Sequence, residues 1–375
     1  MSDHASPVDP DGLLEYSVVY TDRALNHMSA RFQRVLNDVS ALLKQTYGAV
    51  STVVVPGSGT FGMEAVARQF ATGRRCLVIR NGWFSYRWTQ IFEMGDIPAA
   101  ADVLCAARVS EGARAPFAPP PLERVVEQIR RDKPEVVFAP HVETSAGMVL
   151  PDDYLRAIAD AVHEADGLFV LDCIASGTHW VDMRACGVDV LVSAPQKGWS
   201  ASPCCGLVML GQRARRAIEN TRSTSFACDL RKWLDIMETY EAGRHAYHAT
   251  MPTDGLVRLR DTMFEIRDFG FNEARDRQLE LGGRVRDLLE RHGFPSVAAD
   301  GFKASGVIVS YTNDPGIRSG AKFAEAGVQV AAGVPLMCGE GDDFQTFRIG
   351  LFGLDKLEHV DRTVERLSHA LEQFA

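Results

Sequence analysis

From about residue 50 the chain alternates short, continuously apolar runs with longer amphipathic stretches, and this alternation restricts the fold more than any other property of the sequence. Residues 52–55 (TVVV), 76–79 (CLVI), 136–139, 168–172 (LFVLD) and 188–193 (VDVLVS) read as strands. Helical patterns at 61–70, 85–93, from the Pro-rich loop 116–121 to Arg131, and at 154–164 separate them. A strand that is apolar on both faces needs cover on both, and crossover helices supply it. The pattern therefore predicts an α/β fold built on a mostly parallel sheet flanked by helices.

Beyond residue 250 the texture changes to long charged helices at 256–269 and 273–291, two strand-like runs at 307–311 and 346–349, and a final helix at 357–374. That pattern reads as a smaller C-terminal α+β domain. With 375 residues and roughly 150 per domain, two domains are expected. The expected division is an extended or disordered segment at 1–15, a large domain at 16–255 and a small domain at 256–375.

A net charge of −9 disfavours nucleic acid and anionic membrane surfaces as partners, which leaves small solutes. No apolar run approaches the roughly 20 residues of a membrane helix, and the start carries no Lys or Arg ahead of an apolar stretch, so neither a span nor a secretory signal is expected. The eight cysteines are scattered, with Cys204 and Cys205 adjacent, which fits neither a disulfide framework nor a zinc site and points to a reducing cytoplasm.

Three segments carry chemistry. PGSGTFGMEA at 56–65 links a strand to a helix, and its inward N–H groups, helix start and the hydroxyls of Ser58 and Thr60 suit a phosphate; a plain tight turn with Thr60 as the cap is the alternative. Asp172 ends an apolar strand, where it either caps the next turn or faces a ligand at the carboxyl edge of the sheet. Lys197, in SAPQKGW at 193–199, follows the next strand at the same edge, and a desolvated Lys there can form a Schiff base with an aldehyde. Phosphate turn, strand-end Asp and strand-end Lys together describe a site for pyridoxal phosphate.

These residues sit in segments that resemble the class V aminotransferases of the fold type I pyridoxal-phosphate superfamily, in the branch of serine–pyruvate, alanine–glyoxylate and 2-aminoethylphosphonate transaminases. The resemblance runs from about residue 30 to the C-terminus and implies a seven-stranded sheet, the cofactor pyridoxal 5'-phosphate and a homodimer with shared active sites. It assigns Ser58, Gly59 and Thr60 to the cofactor phosphate with Gln196 nearby, and Phe84 of NGWFSYR at 81–87 to the ring, a role that Trp83 would also fit. Thr144 of HVETSAG at 141–147 is assigned to the phenolic oxygen, and in DCIAS at 172–176 Asp172 takes the pyridinium and Ile174 a ring face. Lys197 is the implied catalytic amine. Tyr247 and Thr250 of YHATMP at 247–252 are assigned to the other subunit's phosphate, and Arg348 of FRIGLFG at 347–353 to the substrate carboxylate.

The implied activity is transfer of an amino group from a small amino acid of the alanine or serine type to a 2-oxo acid such as glyoxylate or pyruvate, by a ping-pong cycle. The Gly-Pro-rich opening usual in that family is missing, and Asp22, Arg23, Asn26 and His27 cluster where it would stand, as a candidate pocket wall. The GSGTF turn is closer to the phosphonate transaminases and Gln196 to the alanine enzymes, so a phosphonate substrate is the alternative. A lyase or desulfurase needs a mobile nucleophilic thiol, for which Cys338 is the candidate, but such enzymes usually carry His before the Lys, where this chain has Gln196. A non-catalytic binding protein would have lost Lys197 or Asp172, and both are present.

Overall fold

The computed structural model describes Asp9 and residues 13–374, so most of the expected N-terminal segment 1–15 lies outside the described residues. Seven strands form the main sheet: β1 (Ser51–Pro56), β2 (Arg75–Arg80), β3 (Ala100–Cys105), β4 (Val136–Pro140), β5 (Leu168–Asp172), β6 (Val190–Ser193) and β7 (Cys205–Leu210). Their order is β1-β7-β6-β5-β4-β2-β3, and β7 alone runs antiparallel to its neighbours. Every residue of β4, β6 and β7 is buried, as expected for strands covered on both faces.

Two of these strands are not singled out by the sequence pattern. β3 lies at the sheet edge with Ala100, Ala101 and Asp102 exposed, so its apolar run is short. β7 breaks the strand–helix alternation because an antiparallel neighbour needs no crossover helix. The connection from β6 to β7 is instead the loop that carries Gln196 and Lys197.

The cover is supplied by α1 (Ala30–Tyr47), α2 (Gly59–Phe70), α3 (Trp83–Gly95), α4 (Leu122–Asp132), α5 (Asp152–Glu164), α6 (Leu230–Glu241) and α7 (Thr253–Phe269). α2 lies almost directly on β7: a Cβ added at Gly206 would stand 2.8 Å from both Cα and N of Gly62. That close approach fixes the turn ahead of α2 against the sheet.

α8 (Phe271–Arg291) and α9 (Val360–Glu372) pack on a second sheet of β8 (Val307–Tyr311), β9 (Ala331–Ala332) and β10 (Thr346–Gly350), ordered β8-β10-β9 and antiparallel throughout. The charged texture that begins near residue 255 marks the start of α7, whose Leu256, Leu259, Met263 and Ile266 still belong to the core of the large sheet. The second core starts at Ala274 and joins Leu281, Val285 and Leu289 of α8 to Ile308, Phe347 and Ile349. The expected last helix at 357–374 is two pieces, Leu354–Glu358 and Val360–Glu372, interrupted at His359.

Candidate active site

Because the parallel strands run the same way, their carboxyl ends meet at one edge of the sheet. β1 delivers Ser58, Gly59 and Thr60; β2 leads to Phe84; β4 leads to Thr144; β5 delivers Asp172 and Ile174; and β6 leads to Gln196 and Lys197. All nine line a single cavity at that edge of the sheet, the place where open α/β folds hold ligands.

The turn ahead of α2 is built as a cradle. Ser58 is the N-cap residue in extended backbone, yet its side chain makes no cap hydrogen bond, and Thr60 lies in the first turn of the helix rather than at the cap. A Cβ on Gly59 would stand 2.7 Å from Ile174 Cδ1 and 3.1 Å from Ala194 Cβ, so a larger residue there would push Ile174 from its place in this wall. Gln196 Oε1 is buried without a hydrogen-bond partner among the described residues. The Ser58 hydroxyl, the helix-start N–H groups and, through ordered water, the unsatisfied Gln196 amide oxygen are what a phosphate ester would use.

Asp172 does both things that a strand-end acid can do. Its Oδ1 accepts from the Ile174 N–H at 2.9 Å, and its carboxyl faces the cavity. Burial pushes its pKa up to about 7; the Ile174 N–H and the more distant Arg87 pull it down, and Glu143 adds to the rise. A cationic ring nitrogen in the cavity would relieve the cost of that buried charge.

Lys197 has no carboxylate within ion-pair distance among the described residues. Its Nζ lies 4.9 Å from the Phe352 ring centre, and burial, with Arg348 nearby, lowers its pKa. A larger share of free amine follows, which is the nucleophilic form. Arg348 sits on β10, where strand alternation turns Phe347 and Ile349 into the second core and leaves Arg348 on the other face. Its Nε donates to Ala332 O at 2.8 Å, and its Cζ lies 5.6 Å from the Phe84 ring centre, at the rim of the cavity rather than in its lining.

A buried carboxylate sets the ring wall. Glu143, fully buried, accepts from the N–H groups of Phe84 (3.2 Å) and Ser85 (2.9 Å) at the start of α3, and from the hydroxyls of Ser85 and Ser145 (2.7 Å each). Negative charge at a helix N-terminus is favourable, and here it fixes the direction in which α3 enters. Phe84 thereby points into the cavity, whereas Trp83 packs on Tyr86 with 5.8 Å between ring centres and is not part of the lining.

Several sequence candidates lie elsewhere. Tyr247 is 53% exposed, its hydroxyl is 3.1 Å from that of Thr250, and neither residue lines the cavity of its own chain. Asp22, Arg23, Asn26 and His27, the candidate pocket wall, do not line the cavity of their own chain. Asn26 turns into its own segment to bind Glu15 and Ser17, and His27 packs among Tyr20, His245 and Tyr247. Cys338 is held against Arg80 O at 3.4 Å and against Cys105, its thiol pKa pushed up by that partner and by burial, which does not suit a free nucleophile. The cavity also holds residues that sequence reasoning left without a role: Met63, Val142, Ala175 and Arg87. Arg87 stands three residues after Phe84, a spacing that shares a helix face, and that spacing was the available signal.

Comparison with known proteins places the chain in a family. A family model described as aminotransferase class-V matches residues 13–334. Alanine–glyoxylate aminotransferase 1 of Saccharomyces cerevisiae is 29% identical over 311 residues, 78% of each chain. Alanine–glyoxylate aminotransferase of Rattus norvegicus is 25% identical over 93% of this chain and 83% of its own. Among solved structures, ureidoglycine–glyoxylate aminotransferase of Bacillus subtilis superposes with a TM-score of 0.78 at 21% identity, covering 94% of this chain and 88% of the other, a likeness of fold.

Proposed function

The chain belongs to the class V aminotransferase family and is a transaminase, and from that premise we propose that it moves an amino group from a small amino acid of the alanine or serine type to a 2-oxo acid such as glyoxylate or pyruvate, with pyridoxal 5'-phosphate as cofactor. The observation that carries this reading is the convergence of nine residues from five strand ends, Lys197 and Asp172 among them, on one cavity.

Ser58, Gly59, Thr60 and Gln196 would hold the cofactor phosphate, Phe84 and Ile174 its ring, Thr144 its phenolic oxygen and Asp172 the proton on its ring nitrogen. When bound, the cofactor supplies an electron sink for the charge left as a proton departs from the amino acid's α-carbon. Lys197 Nζ would anchor the cofactor and would accept that α-proton, a task suited to its lowered pKa. Arg348 offers its remaining N–H donors to the substrate carboxylate as a two-pronged, charge-assisted fork. The first oxo acid leaves before the second binds, because both use Arg348 and the same cavity.

The chain is proposed to act as a homodimer. Support comes from Tyr247 and Thr250, which stand outside their own cavity and would reach the partner's phosphate site, and from the exposed Phe61 beside the turn at 48% exposure. Eight free thiols support a reducing compartment such as the cytoplasm. Among the described residues no helix is long and apolar enough to cross a membrane.

The test is spectroscopic. The holoenzyme should lose the visible band of its lysine-bound cofactor when alanine or serine is added, and Lys197→Ala should lack that band from the start. A Lys197→Ala protein that keeps the band refutes the assignment of the amine. A wild type that responds to 2-aminoethylphosphonate but to neither alanine nor serine refutes the substrate class while leaving the transaminase intact.

A further inference from the structure

Arg87 lines the cavity but has no part in the assignments above. On α3, Phe84 and Arg87 share a face, and the Arg87 Cζ lies 5.2 Å from the Phe84 ring centre, so the guanidinium of one side chain lies over the ring of the other. Its Nη1 donates to Thr60 Oγ1 at 3.1 Å, which brings the guanidinium to the first turn of α2. No other hydrogen bond of this side chain, and no carboxylate within ion-pair distance, occurs among the described residues. Asp172 feels its charge without forming a contact.

A guanidinium carries five donors, and a cation facing a cavity with one donor satisfied is a ligand in search of an anion. Two charged ligand groups could answer: the phosphate ester of the cofactor and a second acidic group on a substrate. Position favours the first. The contact partner is Thr60 of the phosphate turn, while the carboxylate fork, Arg348, comes from β10 of the other domain. The remaining phosphate partners, Ser58, Thr60 and Gln196, are neutral, and a helix start supplies only about half a positive charge. A phosphate dianion placed there would otherwise lie in a largely buried site with no full countercharge.

We propose that Arg87 is the charged phosphate ligand of this site: it is held by Thr60 and Phe84 so that its free N–H edge closes the cradle formed by Ser58, Gly59 and Gln196. The proposal rests on the reading of the cavity as the cofactor site. Its consequence is selective, since the charge acts on the ester group and not on the ring.

The experiment uses full-length, cofactor-free protein and measures dissociation constants by quenching of tryptophan fluorescence for three probes: pyridoxal 5'-phosphate, pyridoxal without phosphate, and inorganic phosphate as competitor. Arg87→Ala should weaken pyridoxal 5'-phosphate by about 10- to 100-fold, the range of a charge-assisted hydrogen bond, and should weaken competition by phosphate in parallel. Pyridoxal should be held within about twofold of wild type on the same scale. Arg87→Lys, which keeps the charge but not the fork, should recover part of the loss, and it also guards against an alanine variant that fails to fold. Equal losses for pyridoxal and its phosphate would assign Arg87 to the shape of the ring pocket and overturn the proposal. Unchanged cofactor affinity with a raised KM for the oxo acid would give Arg87 to the substrate and overturn it equally. If wild type binds neither pyridoxal compound, the cofactor reading itself fails and the proposal falls with it.

Discussion

The acid at the floor of the cavity should make the cofactor-free protein less stable as pH rises, and replacing it should remove that slope. Burial lifts the Asp172 carboxyl from 3.8 to about 7. At ~1.4 kcal/mol per pH unit, that gap is worth about 4 kcal/mol once both states are ionised. The folded state holds the proton more tightly than the unfolded chain, so stability falls as pH climbs from about 4 and the loss is nearly complete somewhat above pH 7. Between pH 5 and pH 8 roughly 2–3 kcal/mol of it should be lost. Asp172→Asn keeps an oxygen for the Ile174 N–H and cannot ionise. Isothermal denaturant unfolding of both proteins at the two pH values should show the variant's advantage over wild type growing by that amount at pH 8. Comparing variant with wild type cancels the titration of the other groups. Cofactor should close the gap at pH 8, because the proton on its ring nitrogen gives the wild-type carboxylate a partner. A gap that stays constant or shrinks from pH 5 to pH 8 would refute the assignment of a costly buried charge.

Two further outcomes test how the site is held. Gly206→Ala places a methyl 2.8 Å from the backbone of Gly62 and Ser58, with no flexible side chain to give way. It should cost about 1–3 kcal/mol and weaken cofactor binding by shifting α2; native denaturation midpoints together with native affinity would rule out the close-packing argument. Arg348→Ala should raise KM for amino acid and oxo acid alike by roughly 10- to 100-fold. It should leave the dissociation constant of the cofactor unchanged, because Arg348 lies outside the cavity lining. A normal KM for either substrate would remove Arg348 from carboxylate binding.

What could be read from the sequence were groups whose role follows from their immediate neighbours in the chain. Asp172 and Lys197 stand at or just after apolar strands, so the strand alone places them at the carboxyl edge, and the helix start after β1 does the same for Ser58, Gly59 and Thr60. The β3 and β7 strands escaped because one is a half-exposed edge and the other enters without a crossover helix, so neither keeps the rhythm that reveals the rest. Glu143 gave no signal of its structural work, since an acid after a strand is ambiguous until the N–H groups of α3 are seen to converge on it. The end of the large core was hidden for a similar reason: α7 is charged along its outer face while its inner face packs beside α1.

Arg87 is the extreme case, because both of its contacts depend on tertiary structure or helix phase. Thr60 is distant in sequence and reaches it only because β1 and β2, far apart in the sheet, each send a helix back over the same edge. Phe84 shares its face only if α3 starts where Glu143 holds it. The buried carboxylate that shapes α3 thus also aims the cation, and a Glu143 variant should misplace Phe84 and Arg87 together. The negative net charge of the chain says nothing about such a pocket: Arg87, Arg348 and a helix start, each positioned by a different element, would hold the two anions of the proposed reaction.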